Sequence, residues 1–104
     1  MRIITLEEHF TTPELLSVRG QSWQNAPAAM QALSAKLLDL GAGRIADMDE
    51  AGIDLQVLSP SAGDLDKLDA ATATGMARDT NDRLAAAVRA HPGRFAGFAT
   101  LALQ

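Results

Sequence analysis

Apolar and polar positions along this chain switch between two rhythms. Over residues 2–7, Ile3, Thr5 and Glu7 alternate with Ile4 and Leu6, the period of two that marks a β-strand. Thr11-Thr12-Pro13-Glu14 then supplies a hydroxyl cap, a proline for a first helical turn and an acid near the positive helix end. Leu15, Leu16 and Val18 continue a short helix. Residues 20–27 read as a loop that contains the sole tryptophan, Trp23. From 28 to 40 the rhythm is helical, with Met30, Leu33, Leu37 and Leu38 in phase. Gly41 and Gly43 interrupt it. A second helix over 44–51 sets Ile45, Met48 and Ala51 on one face, and Gly52 sits where a left-handed C-terminal residue is wanted.

Strand two follows at once, with Ile53, Leu55, Val57 and Leu58 leading to Ser59. Proline and glycine punctuate residues 59–63 as a loop. A long helix spans 71–90, its inner stripe marked by Met76, Thr80, Leu84 and Val88, and Pro92-Gly93 stops it. Strand three covers 95–103. Strands two and three are nearly continuous apolar runs, as parallel strands under helices should be. The order strand, helices, strand, helix, strand is that of βαβ units, so the fold class is α/β with a parallel sheet.

Composition narrows the function. One hundred and four residues, 47% hydrophobic and 21% charged, suit one small globular domain. A net charge of -4 with nine scattered basic residues argues against a nucleic-acid partner. No cysteine is present, which removes disulfides and thiolate metal sites. No apolar run approaches the ~20 residues of a membrane span, and acids arrive too early for a secretory leader. The expectation is a soluble cytoplasmic protein.

Chemistry gathers beyond the carboxyl ends of strands in parallel α/β folds. Glu7 and His9 lie at that end of strand one, two residues apart and therefore on one face, with Glu8 turned away. A carboxylate and a neutral imidazole suit zinc, manganese or iron. The competing reading makes Thr5-x-x-Glu8 a capping box, with His9 opening a helix. Ser59 and Ser61 end strand two and serve either substrate binding or turn chemistry. Trp23 covers a pocket at that end or plugs the helix layer. His91 ends the long helix at the opposite side of the sheet and is set aside as a ligand. Asn81 and Arg83 are assigned to packing or solvent contacts.

Three segments taken together resemble the amidohydrolase-related (amidohydrolase 2) family, in its γ-resorcylate decarboxylase-like branch. They are Leu6-Glu7-Glu8-His9-Phe10, the run from Arg44-Ile45-Ala46-Asp47-Met48-Asp49-Glu50-Ala51-Gly52-Ile53-Asp54 to Ser59, and the run from Asn81-Asp82-Arg83-Leu84 through His91-Pro92-Gly93-Arg94-Phe95 to Gln104. The resemblance implies the N-terminal part, about three βα units, of a TIM-type (β/α)8 barrel, with residues 1–104 an incomplete barrel domain. It implies a divalent metal, zinc or manganese, held by Glu7 and His9, and a homo-oligomeric parent enzyme. It implies decarboxylation of a hydroxybenzoate-like aromatic carboxylic acid, with Ser59, Ser61 and Trp23 as candidate substrate contacts. The rival implications are a metal-dependent hydrolase of the same superfamily, or a non-catalytic assembly fragment. The family's remaining ligands have no counterpart here, so the chain by itself is expected to be inactive.

Overall fold

A computed structural model describes residues 1–18, 25–61 and 63–103. Among them, three strands form one parallel sheet: β1 (Ile4–Phe10), β2 (Leu55–Pro60) and β3 (Phe95–Gly97). Four helices accompany them: α1 (Pro13–Val18), α2 (Ala28–Leu38), α3 (Ala42–Ala51) and α4 (Ala70–Ala90), with a short 3-10 turn at Gly63–Lys67. No helix among these residues is long and apolar enough to cross a membrane.

Strand order follows chain order, β1-β2-β3. Successive right-handed crossovers therefore fall on one side of the sheet. The core records this, because Met48 of α3 and Leu84 and Ala87 of α4 pack with Phe10, Leu58 and Phe95 of the three strands. Burying a side chain the size of Phe10, which is fully enclosed, contributes roughly 1.5–3 kcal/mol. A second cluster, Leu15, Leu65, Ala73 and Ala77, seals α1 and the 3-10 turn against the first half of α4. The other sheet face stays open, with Ile4 50% and Leu6 68% exposed.

Local chemistry sets the helix ends. Thr12 Oγ1 accepts from the Leu15 N–H at 3.1 Å, which is the hydroxyl cap expected for α1. Asp69 caps α4, accepting from the Thr72 N–H at 2.9 Å and the Thr72 hydroxyl at 2.7 Å. These bonds draw the Asp69 carboxyl below its ordinary pKa. Gly52 ends α3 in the left-handed region at φ 75°, and its N–H reaches the Met48 and Asp49 carbonyls.

Four expectations change. The capping-box reading fails, since Thr5, Glu8 and His9 all lie within β1 and pair with β2. The strict alternation of β1 fails too, because a bulge breaks it between Thr5 and Glu8. Strand three is only Phe95–Gly97 rather than 95–103. One further bond runs from the Phe98 N–H to the Leu58 carbonyl at 2.9 Å, after which the chain turns to α4. There the Asn81 amide takes both backbone groups of Thr100, donating to its carbonyl at 3.0 Å and accepting from its N–H at 2.8 Å. Finally, the buried stripe of α4 keeps Thr80 and Leu84 as expected but is completed by Ala73, Ala77 and Ala87, with Met76 and Val88 only half-buried. Small residues let α4 lie close to the sheet, and a Cβ at Gly97 would stand 2.5 Å from Leu84 Cδ2.

Candidate metal centre

The bulge decides what the carboxyl end of β1 presents. Thr5 pairs with Gln56 and Glu8 with Leu58, so Leu6 and Glu7 together oppose Val57. Leu58 is buried in the core beneath the helices and Gln56 bonds to Arg44 of α3, so both face the helix layer. Paired residues of parallel strands share a face. Thr5, Glu8 and Phe10 therefore turn to the helices, while Ile4 and His9 turn to the open face beside Leu55 and Ser59. Without the extra residue the phase that begins at Ile4 would bury His9 and expose Phe10. The insertion puts Phe10 in the core and His9 on the open face, with Glu7 two residues before it.

Glu7 carries the cost of this change. Its φ is 59°, and among the described residues it alone is a non-glycine in the left-handed region. That conformation costs an L-residue roughly 1–2 kcal/mol. Glu7 and His9 are both exposed, and neither side chain has a hydrogen bond or ion pair among the described residues. An oxygen donor and a nitrogen donor at one strand end, with no competing partner, fit a divalent ion. No group of three His, Asp or Glu side chains placed to hold a metal occurs among the described residues.

Other expected residues divide. Ser59 is the Cα partner of His9 and half-buried, so the sheet brings the two together. Ser61 lies one residue past β2, where its N–H donates to the Phe10 carbonyl at 2.8 Å and prolongs the ladder. Trp23 lies outside the described residues. His91 caps α4 and meets the Phe95 ring edge-on at 5.5 Å, before β3 begins and so at the amino ends of the strands. Arg83 pairs with Glu14 at 3.0 Å in an exposed bridge.

The site also includes Arg44, to which the spacing of Glu7 and His9 does not point. It leaves the first turn of α3 and joins the end of α2 to the sheet. Its Nε donates to the Asp39 carbonyl at 2.6 Å, Nη1 to Gln56 Oε1 at 3.2 Å and Nη2 to the His9 carbonyl at 3.1 Å. Burial pulls its pKa down, and the charges of Asp39, Glu8 and Asp47 oppose that. A signal was available, since a cation is disfavoured in a helix's first turn and needs another reason to be there. The end of β1 and the α2–α3 layer also border a groove of about 720 Å3, with Glu7, Glu8 and His9 on one wall and Lys36, Arg44 and Asp47 on the other.

No protein-family model matches the chain. Individual proteins do. It is 38% identical to a γ-resorcylate decarboxylase from Polaromonas sp., over 97% of this chain and 31% of that protein. It superposes with a TM-score of 0.88 and 32% identity on 5-carboxyvanillate decarboxylase from Novosphingobium aromaticivorans, solved with manganese and 3-methoxy-4-hydroxy-5-nitrobenzoic acid. That match covers 97% of this chain and 34% of the other. A dihydroxybenzoic acid decarboxylase from Polaromonas sp., solved with manganese and the inhibitor 2-nitroresorcinol, gives a TM-score of 0.80 and 39% identity over 97% of this chain and 30% of its own. The chain spans about a third of the length of the curated relatives it matches. Nearly all of it is homologous to one portion of decarboxylases that act on hydroxylated aromatic acids.

Proposed function

We propose that this chain is the N-terminal portion of an amidohydrolase-related (β/α)8 barrel, and that the whole protein is a metal-dependent decarboxylase of hydroxybenzoate-like acids. The observation that carries the reading is the bulge in β1. It costs backbone strain at Glu7 and turns His9, two residues later, onto the open face at the carboxyl end. Manganese in two homologous decarboxylases supports that metal over zinc.

Within this reading Glu7 and His9 hold and orient the ion. A divalent ion bound there supplies a Lewis acid and a template for a carboxylate and its neighbouring phenolic oxygen. Ser59, beside His9, offers a hydroxyl to a substrate oxygen on the same face. The open apolar face with Ile4 and Leu6 excludes water around an aromatic ring once further strands close over it. Catalytic sites of this kind use at least three protein ligands, so the chain alone is inactive.

Mn2+ titration followed by NMR tests the assignment. Paramagnetic broadening is expected first at Glu7 and His9. Broadening confined to other acids, or none at either residue, defeats it. Separately, release of carbon dioxide from 2,6-dihydroxybenzoate by the isolated chain would overturn its proposed incompleteness.

A further inference from the structure

The carbonyls at the end of β1 point in opposite directions. That of Phe10 faces β2, where the Ser61 N–H donates to it at 2.8 Å. That of His9, one residue earlier, faces the outer edge of the sheet, where no described strand pairs with β1. Arg44 supplies the donor a neighbouring strand would otherwise provide, with Nη2 at 3.1 Å. The same guanidinium gathers carbonyls at the end of α2, reaching Lys36 at 3.3 Å, Leu37 at 3.5 Å and the C-cap Asp39 at 2.6 Å. A helix C-terminus attracts a cation, so the guanidinium is held firmly on that side and passes its position to the strand. Its positive charge also attracts Glu8, the acid adjacent to Glu7.

We propose that Arg44 is a positioning residue for the Glu7–His9 pair. By holding the His9 carbonyl it fixes the peptide plane from which the imidazole projects. Glu8, which its pairing with Leu58 turns to the helix side, lies with Arg44 and leaves Glu7 as the acid offered to the ion. The inference rests on the reading that Glu7 and His9 bind a divalent cation, and it adds a residue that touches neither ion nor substrate.

Arg94 provides the control. It is a second half-buried arginine clamp at the opposite end of the sheet, donating to the Asp54 carbonyl at 2.8 Å, the Ile53 carbonyl at 3.2 Å and Asp49 Oδ1 at 2.6 Å. The test compares Mn2+ affinity, read from broadening at His9, in the unmodified chain and in Arg44→Met, Arg44→Lys and Arg94→Met, each at a temperature where it is folded. Loss of an outer partner of a metal ligand weakens binding about tenfold or more. That loss is expected for Arg44→Met. A smaller loss is expected for Arg44→Lys, which keeps the charge but cannot span the same acceptors. Arg94→Met should stay within about twofold of the unmodified chain, since its acceptors are remote from the ligands. Unchanged affinity in both Arg44 variants overturns the proposal. So does an equal loss in Arg94→Met, which would indicate general loosening. If Arg44→Met does not fold, Arg44→Lys decides, and wild-type affinity in it overturns the proposal. An unmodified chain with no broadening at His9 defeats the metal reading itself, a distinct outcome.

Discussion

Two residues at opposite ends of the sheet occupy the same left-handed backbone region, and the chain treats them differently. At the amino end, Gly52 has φ 75° where α3 turns into β2. Glycine meets that demand without steric cost, and a Cβ there would touch nothing within 4 Å. At the carboxyl end, Glu7 has φ 59° in the middle of the bulge. Glycine would be the cheaper residue there as well, yet an acid stands in its place. The amino end is built for economy: Arg94, Gly52 and the His91–Phe95 contact all have satisfied partners. The carboxyl end holds strain and two exposed donors without partners among the described residues. Strain kept in this way points to function at that end.

The strongest test of this contrast asks first whether the two ends belong to one folding unit. Phe10 and Phe95 anchor the carboxyl and amino ends in the same core. Replacing either with alanine should cost about 3–5 kcal/mol in denaturant unfolding. A loss at one end only would mean that the ends differ in local stability, and the contrast would lose its footing.

Gly52→Ala comes next, with an expected loss of about 1–2 kcal/mol from the left-handed φ alone. Glu7→Gly should move stability the other way, by about 0.5–1 kcal/mol upward, while abolishing Mn2+ broadening at His9. The gain is smaller than the relieved strain because glycine also loses more entropy on folding. Opposite signs sharpen the comparison. A marked loss in Glu7→Gly would show that the acid supports the bulge instead of straining it.

The smallest effect concerns the cap of α4, remote from both left-handed sites. The Asp69 pKa is lowered in the folded chain. Its contribution is therefore present above the ordinary carboxylate pKa and is lost as pH falls through the lower folded value. Unfolding curves of the unmodified chain and Asp69→Ala should differ at neutral pH and converge in acid below that value. A gap that persists there would assign the cap to something other than the ionised carboxylate.

Much of the architecture was legible because it is local. The Thr12 cap, the Gly52 terminus, the long helix stopped at Pro92 and the parallel strands each follow from a few adjacent residues. The third strand was overestimated because its apolar pattern continues to Leu103, whereas the Asn81 amide captures Thr100 nineteen positions away. The stripe of α4 was right at Thr80 and Leu84 but missed Ala73, Ala77 and Ala87, because large residues were favoured over alanines, which are buried here for their small volume. At the site, Glu7 and His9 were identified as a pair sharing a face, but Thr5 was placed with them. The bulge sets Thr5 on the helix side.

The sequence alone determined the alternation of strand and helix, the caps, and the placement of Glu7 and His9 at a strand's carboxyl end, since these depend on spacing along one segment. Tertiary structure decided the rest. A bulge exists only relative to the strand it pairs with, so the turn of His9 toward the open face required β2. Arg44 acquires its role only when α2, α3, β1 and β2 converge and bring its acceptors within reach of one guanidinium.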